Sequence, residues 1–129
     1  MSDFTHTNLM AIDNSAAGRG TGFEARFARS SIDSDHLGVS YFAYPPDTRI
    51  PIGHSHREQE EAYVVVSGSG RMRLDDEIVE LAQWDLVRVA PNVVRGFESG
   101  PDGLVYIAVG NDRPEGGDGQ RVDDFWPAD

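Results

Sequence analysis

No cysteine occurs in the 129-residue chain, which removes disulfides, thiolate metal ligands and thiol nucleophiles together. Lysine is missing too. All eleven basic residues are arginine, so Schiff-base formation and lysine general-base catalysis are excluded. Positive charge is scarce: eleven basic against 22 acidic residues leave a formal net charge of −11 and a pI of about 4.6. A field of that sign repels nucleic acid and anionic membrane surfaces. Residues 1–20 contain no apolar stretch behind a basic start, and the apolar runs elsewhere fall far short of a membrane span. The expectation is a cytoplasmic protein with neither nucleic acid nor membrane as partner. Its chemistry must come from His, Glu, Asp, Tyr, Arg or a bound metal.

Helical periodicity is also wanting, and what replaces it is alternation. Phe23, Ala25 and Phe27 alternate with Glu24 and Arg26, and Val39, Tyr41 and Ala43 alternate with Ser40, Phe42 and Tyr44, the period-two pattern of pleated strands. Pro45-Pro46-Asp47-Thr48 is turn chemistry. Beyond it, strand-like runs at Ala62–Val66, Arg71–Leu74, Ile78–Leu81, Leu86–Val89, Val93–Phe97 and Leu104–Val109 are separated by Gly, Pro and Asp turns. About nine short strands with no ordinary helix predict an all-β sandwich or barrel.

The length suits one domain, since domains cluster at roughly 100 to 150 residues. Residues 1–21 are expected to form an N-terminal arm, 22–110 the β-barrel domain and 111–129 a Gly/Asp-rich C-terminal tail. The stretch 111–119 reads as a loop too polar to order itself, whereas Phe125 and Trp126 are expected to dock on the barrel or on a neighbouring chain. Trp84 is expected to be a packing anchor, and His6 and His36 to be exposed.

One segment carries chemistry. In an extended chain residues two apart share a face, so His54 and His56 point together. The polar run Arg57-Glu58-Gln59-Glu60 suits a turn that returns the chain antiparallel to itself. On the returning strand Glu61 shares the parity of Tyr63 and Val65, and Glu60 must then face outward. Two imidazoles and one carboxylate form a mixed N/O set suited to a divalent transition metal, Fe, Mn, Ni, Zn or Cu, with positions left open for a substrate.

The spacing His54-x-His56-x4-Glu61-x6-Gly68 resembles the first motif of the cupin superfamily, G-x5-H-x-H-x3,4-E-x6-G, with Thr48 where the family has its first glycine. The resemblance implies a cupin-type jelly-roll β-barrel and assigns the metal to His54, His56 and Glu61. The second family motif, G-x5-P-x-G-x2-H-x3-N, aligns with Trp84, Ala90, Asn92, Arg95 and Ser99 and keeps none of its signature residues. The likeness spans roughly residues 37–110.

Arg95 occupies the place of the family's fourth ligand, and a guanidinium cannot ligate. A unit positive charge about 4 Å from a divalent ion costs on the order of 8 kcal/mol at an effective dielectric of 20, so Arg95 needs a compensating partner. Three arrangements meet that need. Arg95 grips an anionic substrate, pairs with Glu61 in place of a metal, or turns away to Glu98.

The leading expectation is therefore a metal-binding small cupin acting on or holding a small anionic molecule, with Arg95, Tyr63 and Phe97 at the ligand and with Tyr63 and Arg95 as candidate catalytic groups. Oxygenase-, isomerase- and lyase-type chemistry all stay open, because a fold does not select a reaction. The alternative is a non-catalytic, metal-free module held by a Glu61–Arg95 ion pair. A homodimer is expected from the N-terminal strand and the aromatic tail.

Overall fold

The computed structural model describes residues 3–18, 20 and 22–127; Arg19 and the extreme ends of the expected arm and tail lie outside the described residues. Eight strands follow in order: β1 (Glu24–Phe27), β2 (Gly38–Tyr44), β3 (Gly53–His56), β4 (Glu61–Leu74), β5 (Glu77–Leu81), β6 (Leu86–Val89), β7 (Arg95–Gly110) and β8 (Gly119–Val122). A 3-10 turn at Leu9–Ala11 is the only helical element among the described residues, and no helix among them is long and apolar enough to cross a membrane. The strands form one curled antiparallel sheet with path β1-β2-β7-β3-β8, onto which β4 joins through β7 and carries β5 and β6.

The backbone of this sheet is the long pairing of β4 with β7, from Glu61 opposite Gly110 to Leu74 opposite Arg95. Sequence punctuation suggests breaks at Gly68-Ser69-Gly70 and at Gly100–Gly103, yet both strands run through them. The register shifts between Val65 and Ser67 and between Gly68 and Gly70, and such bulges bend a strand without ending it. Gly68 sits at φ 79°, and a Cβ there would run into the Gly103 carbonyl, so a side chain would both clash and strain the backbone. This reduces the expected strand count.

Inward residues of β4 and β7 alternate as the period-two reading requires. Tyr63, Val65 and Met72 meet Phe97, Leu104, Tyr106 and Ala108, with Leu81 and Val89 closing the cluster. Each buried Val, Leu, Met or Phe side chain among them contributes roughly 1.5–3 kcal/mol. Three of the rings stack: Phe97 on Tyr106 at 4.3 Å and Phe42 on Tyr106 at 5.0 Å.

Two expectations are corrected. The segment read as a loop too polar to order itself runs into β8, which pairs residue for residue with β3 from Gly53–Val122 to His56–Gly119. Beyond β8, Phe125 and Trp126 are buried on the chain's own barrel. Gly53 and Gly96 make the seat, since a Cβ at either would come within 2.7–2.8 Å of the Phe125 ring. Arg49 and Arg71 lie over the Trp126 ring and Arg73 over that of Phe125, cation–π contacts that also draw on the ion pairs of Arg49 and Arg71 with Glu98.

Trp84 is the second correction. It is 67% exposed and packs nothing into the core, because it occupies a turn at φ 71° in the position where the second motif has glycine. The turn is closed by Trp84 N–H donating to the Val65 carbonyl and by the Asp85 carboxylate accepting from Ala82 N–H. A non-glycine residue in the left-handed region costs about 1–2 kcal/mol, against about 0.4–1 kcal/mol for the extra freedom of an unfolded glycine. Trp84→Gly is therefore expected to stabilise the fold by up to about 1 kcal/mol in urea denaturation; a destabilised variant would show that the indole holds the turn by contacts of its own.

Candidate metal centre

β3 and the first residues of β4 bring three ligand-type side chains to one point. Because β3 is extended, His54 and His56 share the inner face, while the alternate residues Gly53 and Ser55 are buried on the other side. The two imidazoles stand perpendicular, with ring centroids 5.1 Å apart. The turn at Arg57–Glu60 reverses the chain, and Glu61 enters β4 facing them. Glu60 faces outward and pairs with Arg88, as parity requires.

Four side chains converge on a single carboxylate oxygen. Glu61 Oε1 lies 3.4 Å from His54 Nε2, 3.1 Å from His56 Nε2 and 3.7 Å from Arg95 Nη2, and it accepts a 2.5 Å hydrogen bond from the Tyr63 hydroxyl. Burial favours the neutral acid, but the bonds from His54, His56 and Tyr63 outweigh it and hold Glu61 ionised far below the usual carboxylate range. Burial, joined by the adjacent Glu61 charge, pushes the Tyr63 hydroxyl well above its ordinary value. Tyr63 thus stays a hydrogen-bond donor.

His56 stands between two carboxylates. Its Nε2 faces Glu61, and its Nδ1 lies 2.8 Å from Asp118 Oδ1. Asp118 was not among the residues singled out in the sequence. It is only 3% exposed and its other oxygen accepts from the Glu58 and Gln59 amides at 2.7 and 2.8 Å, so it pins the turn between the histidines and Glu61. These two amide bonds and His56 overcome the opposing effect of burial and draw its pKa down to about 2. The Glu61 bond raises the His56 pKa, burial opposes it and Asp118 adds to the rise.

The donor atoms of His54, His56 and Glu61 all lie within 4.8 Å of one another. Metal–ligand bonds of about 2.1 Å place neighbouring donors about 3.0–3.4 Å apart in octahedral or tetrahedral geometry, the range of the two His–Glu separations. A neutral imidazole carries one ring proton. With Nδ1–H given to Asp118, the Nε2 lone pair would face an ionised carboxylate unless a proton or a metal ion lies between them. The three residues therefore fit a divalent ion, with Asp118 as the outer carboxylate that fixes the tautomer of His56.

Arg95 completes the centre and is wholly buried. It does not turn away to Glu98, which Arg49 and Arg71 occupy. Its Nη1 donates to the carbonyls of Pro91 and Val93 and its Nη2 to that of Ala90, tying down the loop whose Pro91 carbonyl also accepts from His56 N–H. Nε has no partner.

These groups line a cavity of about 490 Å³ whose remaining wall includes Phe42, Tyr44, Tyr63, Phe97 and Tyr106. Tyr63 and Phe97, expected at the ligand, belong both to this wall and to the core. His36 lies apart from it, exposed and paired with Asp112, and His6 is exposed.

The cupin domain model matches residues 40–110. Among solved structures, the chain is similar to a cupin protein from Bacteroides fragilis, at 22% identity, 88% coverage of each chain and a TM-score of 0.72. It is similar to the polyketide cyclase of Streptomyces resistomycificus at 18% identity over 97% of this chain and 88% of that one, with a TM-score of 0.72. Oxalate decarboxylase from Bacillus subtilis matches at 20% identity over 84% of this chain and 30% of its own length, with a TM-score of 0.68. No curated protein matches the sequence. With more than half of its residues under the family model, and with a jelly-roll barrel around the His54–His56–Glu61 cluster, the chain belongs to the cupin family.

Proposed function

We propose that this cupin holds a divalent transition metal, Fe, Mn, Ni, Zn or Cu, on His54, His56 and Glu61, and acts on or holds a small anionic molecule beside it. The observation that carries this reading is His56 set between Asp118 and Glu61, an arrangement that presents an imidazole lone pair to the centre. When bound, such an ion supplies Lewis-acid polarisation and, for a redox-active metal, one-electron or oxygen chemistry.

The chain's own residues supply the remainder. Asp118 retains the Nδ1 proton of His56, and Tyr63 presents a hydroxyl to Glu61. Arg95 adds charge: a divalent ion and one guanidinium against the carboxylates of Glu61 and Asp118 leave one positive charge in the site, and an anionic ligand offsets it. Similar barrels that serve a cyclase and a decarboxylase support a catalytic use of this site.

The 3.7 Å approach of Arg95 to Glu61 favours a second reading, a metal-free binding module in which Arg95 and a protonated His56 neutralise the carboxylate. Elemental analysis separates the two. About one transition-metal ion per chain is expected in protein purified without added metal, and His54→Ala should lose it; metal-free protein whose His54→Ala variant keeps its stability and ligand affinity would establish the module.

Asp118→Asn is expected to keep the stoichiometry and to weaken metal affinity about 10–100-fold, read by competition with a chromophoric chelator. Unchanged affinity would assign Asp118 to the turn alone.

A cytoplasmic homodimer completes the proposal. With Phe125 and Trp126 committed to their own barrel, the pairing surface is the outer side of β1, at one end of the sheet path, beside the exposed Phe27 and Leu37. Light scattering at micromolar concentration should give about twice the 14.2 kDa chain mass; the chain mass itself would refute the dimer.

A further inference from the structure

The cavity differs in charge and in texture from the molecule around it. Its lining contains three arginines, Arg29, Arg95 and Arg113, and a single carboxylate, Glu61, which leaves two formal positive charges in a chain of net charge −11. Arg113 is exposed and Arg29 half-buried, so this positive charge extends from the surface inward, the layout that raises local anion concentration at a cleft. Arg95, one of the lining residues, has a buried Nε–H without a partner, a condition that buried polar groups rarely tolerate.

Much of the remaining lining is aromatic. Phe42, Phe97 and Tyr106 form a stacked series, with the Tyr63 ring edge-on to Phe97 and Tyr106 at 5.2 and 5.7 Å. Ring faces and edges at such angles favour a flat π-system over a branched aliphatic one. A volume near 490 Å³ has room for about sixteen waters at roughly 30 Å³ each, which suits a ligand of about one or two rings.

The wall also holds one unused polar group. Tyr44 and Tyr106 hydroxyls share a hydrogen bond of 2.8 Å. Two hydroxyls carry two protons and this bond uses one, so one O–H remains to be donated. Burial pushes the Tyr44 hydroxyl up to about 12 and raises that of Tyr106 as well, which keeps both protonated.

The geometry points to an aromatic acid as the ligand class: a flat ring against Phe42, Phe97 and Tyr106, an anionic oxygen group toward Arg95 and the His54–His56–Glu61 centre, and a second oxygen substituent accepting from the Tyr44–Tyr106 pair. This rests on the reading of the cavity as a ligand site and adds to it the substrate class.

Calorimetric titration tests it with acetate, benzoate, 3- and 4-hydroxybenzoate and 4-hydroxybenzyl alcohol, on the protein as purified and after chelator treatment. Benzoate should bind at least about tenfold more tightly than acetate, from ring burial, and 4-hydroxybenzoate at least about tenfold more tightly than 4-hydroxybenzyl alcohol, from charge. One hydroxybenzoate should exceed benzoate by about threefold or more, and the double variant Tyr44→Phe with Tyr106→Phe, which removes both hydroxyls of the pair, should abolish that margin. Acetate equal to benzoate, alcohol equal to acid, hydroxybenzoates no better than benzoate, or no binding in either form overturns the proposal. Failure of the metal reading looks different: chelated and untreated protein would then contain no metal and show the same aromatic-acid preference.

Discussion

Glu61 carries a negative charge to the edge of an aromatic interior, and that charge has to be met from several sides. Burying an unpaired carboxylate is prohibitive, so the surrounding strands deliver His54, His56, Tyr63 and Arg95 to one oxygen. Each comes from a different constraint. The histidines follow from the pleat of β3, Tyr63 from the pleat of β4, and Arg95 from the start of β7, where it stands opposite His54 in one pairing and Leu74 in the other.

The C-terminal segment extends this dependence across the chain. Asp118 lies 62 residues from His56, and it reaches the site because β8 pairs with β3 and because Phe125 and Trp126 lock the chain beyond it onto Gly53, Gly96 and the arginine cluster. Without β8, the strand bearing both histidines would touch the rest of the sheet through little more than the His54–Arg95 pairing. An acidic, glycine-rich tail thereby becomes part of the site's support. Its composition conceals this, since a polar loop and a polar strand edge draw on the same residues.

Several features were legible beforehand because they are local. Alternation identified the all-β class, placed His54 and His56 on one face and separated Glu61 from Glu60, all consequences of a period of two along one chain. Gly68 stood at the motif's spacing from Glu61, while its left-handed conformation and close backbone approach came only from the structure. Strand ends were less legible: Gly68–Gly70 and Gly100–Gly103 have turn composition, but β4 and β7 pair straight across them by bulging. Trp84 misled for a related reason, because a tryptophan's size suggests burial while its backbone serves as a turn.

What the sequence by itself determined, then, is the fold class and the three ligand-type residues, since both follow from spacing within single strands. Only the tertiary structure decided that Asp118 backs His56, that Arg95 faces inward to Glu61 with Glu98 already taken, and that Tyr44 and Tyr106 leave a donor in the cavity. These contacts join residues that are remote in the chain, and closure of the curled sheet brings them together. No periodicity records which distant side chain will meet a given charge, because that is fixed by sheet register and the requirement that buried polar groups be paired.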